Sequence, residues 1–309
     1  MGDTQVIIQS MAGDREDSIG FLDEKEKITI LVPIKNGVEF VKKKIEELAN
    51  LNYPNYEVLI SVNLSTDGTF ALVNQYTLGN PTFRVYSQTE ELTIAQNFSF
   101  LLEQAKTSLV IFSAIDDSLS SNFLQEAMKC WREQPQAIAV VGAARFEGNT
   151  HGNSPIYLNL TQKKTSKRLL EFIRKSRVSH ALFYCLSRKV IFQEFSERYS
   201  EEFIGRDWIF GIELCLAGKI AISKQSEILF GVKGTSRQRR YLYESDEKKY
   251  SMLFPYFKLS KHLRVIARTA EFPSNIILYS FSIWLLWSNI KRSLYARFLE
   301  KNNYEISRL

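Results

Sequence analysis

The stretch KITILVPIKN, Lys27 to Asn36, runs into EFVKKKIEELANL, Glu39 to Leu51, and this pair sets the pattern of the amino-terminal half. The first segment is a β-branched apolar run typical of a buried strand. The second has apolar residues at helical spacing. Further along, YEVLISVN, FRVYS and SLVIFSA each precede a turn and a helical segment. Four such units in a row predict an α/β fold with a mostly parallel, doubly wound sheet.

Ligands of such sheets bind beyond the carboxyl ends of the strands, which draws attention to the loops 33–37, 63–68 and 114–121. In the third loop, the sequence FSAIDDSLSSNFL places Asp116 and Asp117 directly after a buried strand. Such a carboxylate pair either holds a cation or caps a helix. Neither G-x-G-x-x-G nor G-x-x-x-x-G-K-[ST] occurs, which excludes the two commonest nucleotide fingerprints.

Composition narrows the class of protein. With 309 residues and 45% hydrophobic content, the chain can bury a real core. The net charge of +6 is concentrated between Lys233 and Arg297, which suits an anionic partner or is simply a solvated face. No nucleic-acid module is present. Cys130, Cys185 and Cys215 lack C-x-x-C spacing and are predicted to be buried thiols in a reducing compartment. The polar tail 1–26 predicts no secretory signal, and hence a cytoplasmic enzyme body.

The order of these signals resembles that of GT-A glycosyltransferases of family 2, an inverting, nucleotide-sugar-dependent group that includes bacterial capsule and lipopolysaccharide sugar transferases. The matching pieces are ITILVPIKN, NYPNYEVLISVNLSTDGT, AQNF, FSAIDDS and GRDWIFGIELCLAGK. They span roughly Lys27 to Arg237. The resemblance implies a GT-A, Rossmann-like catalytic domain at 27–237, with a donor-binding half at about 27–125 and an acceptor half at about 126–237. A helical basic region, 238–309, follows it.

The resemblance also implies an activity: transfer of a sugar from a nucleotide-diphosphate sugar to a hydroxyl of a glycan or lipid-linked acceptor, in surface polysaccharide synthesis. Asp207 is then the catalytic base, and Asp116, matching the last acid of the family's D-x-D, is the ligand of a weakly bound Mg²⁺ or Mn²⁺. A hard divalent cation on the diphosphate would stabilise the charge of the leaving group. The residues assigned to donor binding are Pro33, Asn36, Asn63, Asn97, Asp117 and Lys233.

The sequence departs from the family pattern at three places. Ala114 stands where the first acid of D-x-D is expected, Asn63 where relatives carry base-reading acids, and Lys233 where many carry a histidine. These departures support a second hypothesis, a catalytically decayed partner that binds nucleotide sugar or glycan within a polysaccharide assembly system. Retention of Asp116 and Asp207 favours the enzyme, because a dead site needs neither.

Several residues keep a structural alternative. Asn97 opens a helix and either caps it or contacts the donor; Asp117 either caps a helix beginning near Ser121 or orients its neighbour. Asp207 is either the base or only an N-terminal cap. A helix N-terminus is expected to lower the pKa of its carboxyl group. Trp208 packs either on a sugar ring or in the core.

The stretch 272–290 has no charged residue, and the segment IILYSFSIWLLWSNIKR, 276–292, continues it into Lys291 and Arg292. Pro273, Ser274, Asn275, Ser280 and Ser282 make it a poor spanning helix. We expect either a helix lying in the headgroup region of a membrane or one packed on the enzyme body or a dimer partner. The sequence does not exclude a homo-oligomer. Two further local predictions are that 147–167 is a surface excursion with little core and that HALFYCLSR, 180–188, is a strand.

Overall fold

The computed structural model describes residues 26–149, 154–231 and 256–301. Eight strands form one sheet in the order β3-β2-β1-β4-β7-β6-β8-β5. The strands are β1 (Ile28–Ile34), β2 (Tyr56–Val62), β3 (Phe83–Ser87), β4 (Leu109–Phe112), β5 (Ser118–Leu119), β6 (Ala137–Phe146), β7 (Leu186–Arg188) and β8 (Lys219–Phe230).

Helices lie between most of these strands. They are α1 (Val38–Ala49), α2 (Thr69–Thr77), α3 (Ile94–Gln104), α4 (Phe123–Glu133), α5 (Thr165–Arg174), α6 (Lys189–Arg198), α7 (Arg206–Ala217), α8 (Phe257–Thr269) and α9 (Ser274–Lys301). Two 3₁₀ segments occur at Glu147–Asn149 and Ser176–Tyr184.

The α/β class predicted from the sequence is confirmed. Strands β1 to β4 pair in parallel, with Ile34 beside Val62 and Leu31 beside Phe112. Their carboxyl ends therefore meet at one edge of the sheet, where the three ligand-facing loops lie. The second half is mixed: β6 pairs in parallel with β8, but β7 runs antiparallel to both β4 and β6, and β5 antiparallel to β8.

The core follows from the sequence pattern. The interior of β1 is almost fully buried along its length, and α1 buries one face through Val41, Lys44, Ile45 and Leu48 at helical spacing. All three cysteines are free and buried, as expected from their apolar contexts. Burial of apolar side chains on both faces of the parallel strands is what fixes this half of the fold.

Two local predictions were wrong. In HALFYCLSR only Leu186–Arg188 is a strand, because the residues before it complete the 3₁₀ segment Ser176–Tyr184 that packs on α7. The polar stretch after β6 does contribute to the core: Leu158 and Leu160 are buried, and Ile156 bridges to Ala144. Two leucines spaced two apart are enough to anchor an otherwise polar segment.

Helices α8 and α9 form a hairpin that packs on α5 and α7. Ser260 Oγ and Ser282 Oγ lie 2.8 Å apart within it, so a buried polar contact fixes the rotation of the two helices. None of the described helices combines the length and apolar content that crossing a bilayer requires.

Candidate active site

The first two loops at the sheet edge bond to each other. Three consecutive amides at the start of α1, residues 36–38, donate to Ser65 Oγ, Thr69 Oγ1 and Asp67 Oδ2 at 2.9, 2.9 and 3.0 Å. The alternating polar residues of STDGT thus satisfy the amides of a helix start whose own cap position, Gly37, has no side chain. The STDGT turn therefore shapes the first loop.

Asp67 is a turn residue that accepts from the Thr69 amide, and it lies beside Gly68, whose φ is +88°. Burial pushes the pKa of Asp67 up, but hydrogen bonds from Thr69 and Val38 outweigh it and lower that pKa below its usual value. Asn36, itself in the left-handed region with φ of +49°, accepts a hydrogen bond from the Thr66 amide at 2.9 Å. The exposed Asn36 thus holds the same pair of loops together beside the predicted donor pocket. Pro33 lies three residues earlier in the chain, near the end of β1.

The side chain of Asn63 is hydrogen-bonded to the backbone of Leu92. Its Nδ2 donates to the Leu92 carbonyl at 2.7 Å, and its Oδ1 accepts from the Leu92 amide at 2.9 Å. The side chain is 3% exposed. Asn63 therefore pins the loop before α3, and the base-reading role assigned to it from the sequence has to compete with these two bonds.

Asn97 is not the cap of α3. That position belongs to Thr93, which forms a reciprocal capping box with Gln96. Asn97 lies one turn further in, buried, and its Oδ1 accepts from Ser61 Oγ at 2.6 Å. The Asn97 side chain therefore links α3 to the end of β2. It is not needed as a cap, because Thr93, four residues earlier, already caps the helix.

Asp117 is anchored through both carboxylate oxygens. Oδ2 accepts from the Tyr184 hydroxyl and Oδ1 from the Gly231 amide at 2.9 Å. Burial, then the charge of Asp116, raises the pKa of Asp117 to about 6 despite these bonds. Helix α4 begins six residues later, after Asn122, so Asp117 does not cap it. Its side chain instead ties the loop to Tyr184 and Gly231.

Asp116, by contrast, is half-buried and its carboxylate has no hydrogen-bond partner among the described residues. It is therefore the carboxylate of this loop that is free to contact a ligand, and its role as a metal ligand stays a prediction. No group of three or more His, Cys, Asp or Glu that could hold a metal occurs within the described ranges. A single carboxylate fits a Mg²⁺-type ion bound chiefly through substrate phosphates and water, which is the weak site expected here. Lys233 lies outside the described residues.

Lys44 holds the acidic loop from behind. Its ammonium is 1% exposed and donates to Ser113 Oγ at 2.6 Å, the Asp117 carbonyl at 2.7 Å and Glu47 Oε1 at 3.1 Å. Three donors thus meet three acceptors, which offsets the cost of burying the charge. Glu47 also accepts from the Leu119 amide at 2.9 Å. Both ends of the loop are therefore tied to α1.

Asp207 lies in the first turn of α7, after Gly205, whose φ of +86° starts the helix. Burial raises the pKa of Asp207 to about 6, although hydrogen bonds from its own backbone amide and that of Trp208 lower it. The expectation that the helix N-terminus would depress this pKa is wrong, because desolvation outweighs the amides. A carboxylate with a pKa near 6 is a stronger base than an ordinary aspartate and is still ionised at neutral pH.

Tyr184 brings the acids together. Burial first, then the charges of Asp117, Asp116 and Asp207, raise its pKa well above the usual value. Three acids that are up to 91 residues apart in sequence therefore lie near enough to the Tyr184 hydroxyl for their charges to act on its pKa, and Asp117 accepts its hydrogen bond. Tyr184 was not among the site residues predicted from the sequence, because it lies in a segment predicted to be a strand. Its ring packs on Phe230, which His180 also contacts with a centroid distance of 4.3 Å.

Two other residues of α7, Trp208 and Glu213, have partners within the protein. Trp208 stacks between Tyr256 and Phe281, with centroid distances of 6.2 and 5.8 Å. Glu213 Oε1 accepts from Arg198 at 2.9 Å and from the Tyr199 hydroxyl at 2.7 Å. Asp207 is therefore the acid of this helix that faces the site.

A cleft of about 480 Å³ lies at the opposite, amino end of the parallel strands. Its lining includes Glu57, which forms ion pairs of 2.8 Å with both Lys27 and Arg84. Ligands of open α/β sheets bind at the carboxyl ends of the strands. The polar groups of this cleft also satisfy one another. We therefore place the candidate active site at the acidic loop and the start of α7.

Comparisons with known proteins identify the family of the chain. Residues 29–199 match the model of glycosyl transferase family 2. Over 118 residues the chain is 23% identical to the Bacillus subtilis (strain 168) protein named "Putative teichuronic acid biosynthesis glycosyltransferase TuaG". That match covers 38% of this chain and 47% of the relative, so the chain spans about half the length of the curated relative it matches.

Two solved structures share the fold. The first is S. aureus TarS 1-349 in complex with UDP-GlcNAc, with 16% identity, a TM-score of 0.56, and coverage of 91% of this chain and 77% of that one. The second is the mannosyltransferase PcManGT from Pyrobaculum calidifontis in complex with GDP-Man and Mn²⁺, with 14% identity, a TM-score of 0.53, and coverage of 95% and 86%. At these identities the likeness concerns the fold alone. The family model, in contrast, matches more than half of the sequence, and the chain therefore belongs to glycosyl transferase family 2.

Proposed function

We propose that the protein is an inverting glycosyltransferase that moves a sugar from a nucleotide-diphosphate sugar to a hydroxyl of a glycan or lipid-linked acceptor. The observation that supports this proposal is that the charges of Asp116, Asp117 and Asp207 all act on Tyr184, which donates a hydrogen bond to Asp117. One of these carboxylates is fixed by hydrogen bonds, one is open to a ligand, and one is a base with a raised pKa. A metal-assisted displacement needs one free acid to hold the cation and a second free acid to act as the general base.

In the proposed reaction the donor lies across the carboxyl edge of the sheet, with its diphosphate at Asp116. Asp207 removes the proton from the acceptor hydroxyl, and the oxygen attacks the anomeric carbon from the face opposite the nucleotide. The new bond joins the acceptor oxygen to that carbon, and the bond between the carbon and the diphosphate oxygen breaks. The nucleoside diphosphate leaves with the electron pair, and the configuration at the anomeric carbon is inverted.

A divalent cation bound to the diphosphate would supply positive charge where the leaving group becomes negative. The protein's own contribution is to hold Asp116 still. Both sets of bonds act on the next residue: Lys44 donates to the backbone carbonyl of Asp117, and Tyr184 and the Gly231 amide donate to its side chain. A preorganised site of this kind does not have to rearrange as charge develops.

The acceptor class is inferred from the relatives. One is named for teichuronic acid biosynthesis, and solved relatives with the same fold hold UDP-GlcNAc or GDP-Man. These names support a nucleotide-sugar donor and a polymer of the cell surface as the acceptor. We therefore propose a role in surface polysaccharide synthesis on the cytoplasmic side of the membrane.

A donor panel tests the proposal. The purified protein is incubated with UDP-, GDP-, dTDP- and CMP-linked sugars, with and without a panel of glycan and lipid-linked acceptors, and released nucleotide and product mass are measured. We expect acceptor-dependent release with one donor. Nuclear magnetic resonance of the product should show the anomeric configuration opposite to that of the donor. A product with retained configuration would contradict the assignment of Asp207 as the base.

The second candidate is a non-catalytic protein that binds nucleotide sugar or glycan for an assembly system. It is favoured by Ala114, which removes one acid from the metal loop, and by the bonding of Asn63 to Leu92. Calorimetric donor binding without nucleotide release, for every acceptor in the panel, would support this candidate over the transferase.

A further inference from the structure

The first half of α9 presents an unusually apolar face to solvent. Its exposed side chains recur at helical spacing, and four of them are more than half exposed: Ile276 at 53%, Ile283 at 54%, Trp284 at 57% and Trp287 at 60%. Phe272, just before the helix, is 77% exposed. Two exposed tryptophans on one helical face are uncommon in a surface that meets only water.

The opposite face of α9 is already used. Leu278, Phe281, Ser282 and Leu285 are buried against the rest of the protein, and the contact between Ser260 and Ser282 fixes the rotation of the helix. The apolar stripe therefore points away from the enzyme body. No described residue covers it.

The other helix of the hairpin supplies positive charge. Lys261, Arg264 and Arg268 are exposed on α8 at spacings of three and four. Lys258 is paired with Glu201 at 3.5 Å and is not counted among them. From Tyr256 to Ser288 the only acidic residue in the sequence is Glu271. The exposed residues of the hairpin thus include cations on α8 and apolar and aromatic side chains on α9.

This combination selects one partner. Tryptophan rings and aliphatic side chains bury well at the boundary between lipid headgroups and acyl chains, and adjacent Lys and Arg are attracted to anionic headgroups. A second copy of the chain would bring like charges together across a two-fold interface, which is unfavourable. Nucleic acid would use the basic residues but offers no apolar surface for Ile276 and Ile283.

The position of the surface links it to the base. Trp208, next to Asp207, stacks on Phe281, and Phe281 stacks on Trp284, each with a centroid distance of 5.8 Å. Two ring contacts therefore connect the start of α7 to the exposed stripe. A membrane that touches Trp284 would thus be two ring contacts away from the helix start that carries Asp207.

We propose that the outward face of the α8–α9 hairpin docks the protein on an anionic lipid bilayer, with α9 lying in the plane of the interface. The docking itself does not depend on the transferase activity; only its benefit, presentation of a lipid-linked acceptor to Asp207, rests on the proposed function.

Flotation of the full-length chain with lipid vesicles tests the docking, without donor or acceptor. Vesicles of phosphatidylcholine alone are compared with vesicles containing about one third phosphatidylglycerol, at low and high salt. We expect flotation with the anionic vesicles, weakened by salt. The double variant Trp284→Ser, Trp287→Ser and the charge variant Lys261→Glu, Arg264→Glu should each reduce the bound fraction at least tenfold. The control Leu78→Ser, Val190→Ser replaces two other exposed apolar residues and should float normally.

Three results would overturn the proposal. The first is wild-type protein that stays at the bottom of the gradient at low salt. The second is a dimer in sedimentation analysis that the double tryptophan variant dissociates while vesicles are ignored, because the occupant is then a second copy. The third is equal flotation of the wild type and both variants. Since no donor is present, failure of the transferase assay leaves this result intact, and failure of flotation leaves the transferase assay intact.

Discussion

Two polar regions at the carboxyl edge of the sheet differ in what their side chains bind. In the paired loops 36–38 and 65–69, hydroxyls and the Asp67 carboxylate accept hydrogen bonds from backbone amides of the same chain. Near Tyr184, the Asp116 carboxylate accepts no hydrogen bond from the described part of the protein, and the Asp207 carboxylate accepts them only from the two backbone amides at its own helix start. The comparison separates polar residues that shape the pocket from those left for substrate. Each variant below tests on which side of that division a residue falls.

The largest effect is expected at Asp207. Asp207→Asn keeps the shape but cannot take up a proton, so turnover should fall by roughly 10²- to 10⁴-fold, about 3 to 5 kcal/mol of barrier. Donor affinity should be nearly unchanged, and the melting temperature should not fall. Steady-state release of nucleotide and donor titration provide the measurements.

Glu213→Gln is the matched control, because Glu213 is the other buried acid of α7. It should lower the melting temperature through loss of its pair with Arg198, with turnover per folded molecule preserved. If Asp207→Asn transfers sugar at close to the wild-type rate, Asp207 is a structural cap.

Substitution of Lys44 tests whether a residue that supports the acidic loop from behind also affects donor binding. Lys44→Met leaves Glu47 buried without its cation, which should cost about 3 kcal/mol of stability. Because the acidic loop loses its support, donor affinity should also fall at temperatures where the variant is folded. Denaturant unfolding and donor calorimetry measure the two effects. Lys43→Met, an exposed neighbour on the same helix, should change neither. If folded Lys44→Met binds the donor with wild-type affinity, Lys44 contributes to the stability of the protein and not to donor binding.

Asp116 tests the open carboxylate. Asp116→Asn should weaken donor binding in the presence of Mg²⁺ or Mn²⁺ by about 10- to 100-fold, because the ion loses its protein ligand. Chelation with EDTA should weaken the wild type similarly and affect the variant little. Glu133→Gln, which removes an exposed charge elsewhere, is the control. If EDTA changes nothing and Lys233→Ala abolishes donor binding, the lysine has replaced the metal and the assignment of Asp116 is wrong.

The pH dependence follows from the raised pKa of Asp207. The base is protonated below its pKa of about 6, so the rate should fall about tenfold per pH unit on the acid side and level off above it. Asp117 has a pKa of about 6 as well, so loss of this limb in Asp207→Asn is needed to assign it. An acid limb that persists unchanged in the residual activity of that variant belongs to another group.

The same shift fixes the sign of a stability effect. The folded-state pKa lies above the unpaired value of 3.8, so the contribution of Asp207 to stability is complete below that value and is lost as pH rises through about 6. Asp207→Asn should therefore raise the melting temperature more at pH 8 than at pH 4.

The smallest effect is expected in the paired loops. Asp67→Ala removes the acceptor for the amides of Val38 and Thr69 and should cost about 1 to 2 kcal/mol of stability, measured by denaturant unfolding. Turnover of the folded protein should change less than in any of the variants above. Asp67→Asn, which keeps one accepting oxygen, should lose less stability than the alanine variant. A drop in turnover as large as that of Asp207→Asn would show that Asp67 acts on the substrate and does not only shape the pocket.

The sequence by itself determined the order of strands and helices in the donor half, the edge at which the loops meet, and the two acids, Asp116 and Asp207, on which the proposal rests. Periodicity and turn chemistry act within a few residues, so a single sequence carries them in full. It also indicated an amphipathic carboxyl-terminal helix of unusual aromatic content.

Only the tertiary structure decided the partners of the polar side chains. Lys44 reaches Ser113, Tyr184 reaches Asp117, and Asn63 turns to Leu92 across 69, 67 and 29 residues of chain. No local pattern encodes such pairs, because the same lysine or asparagine would lie on a solvated surface if its helix were rotated or its loop displaced. Burial likewise reversed the expected direction of the Asp207 pKa, since desolvation depends on everything packed around the carboxylate and the helix start contributes only a local field.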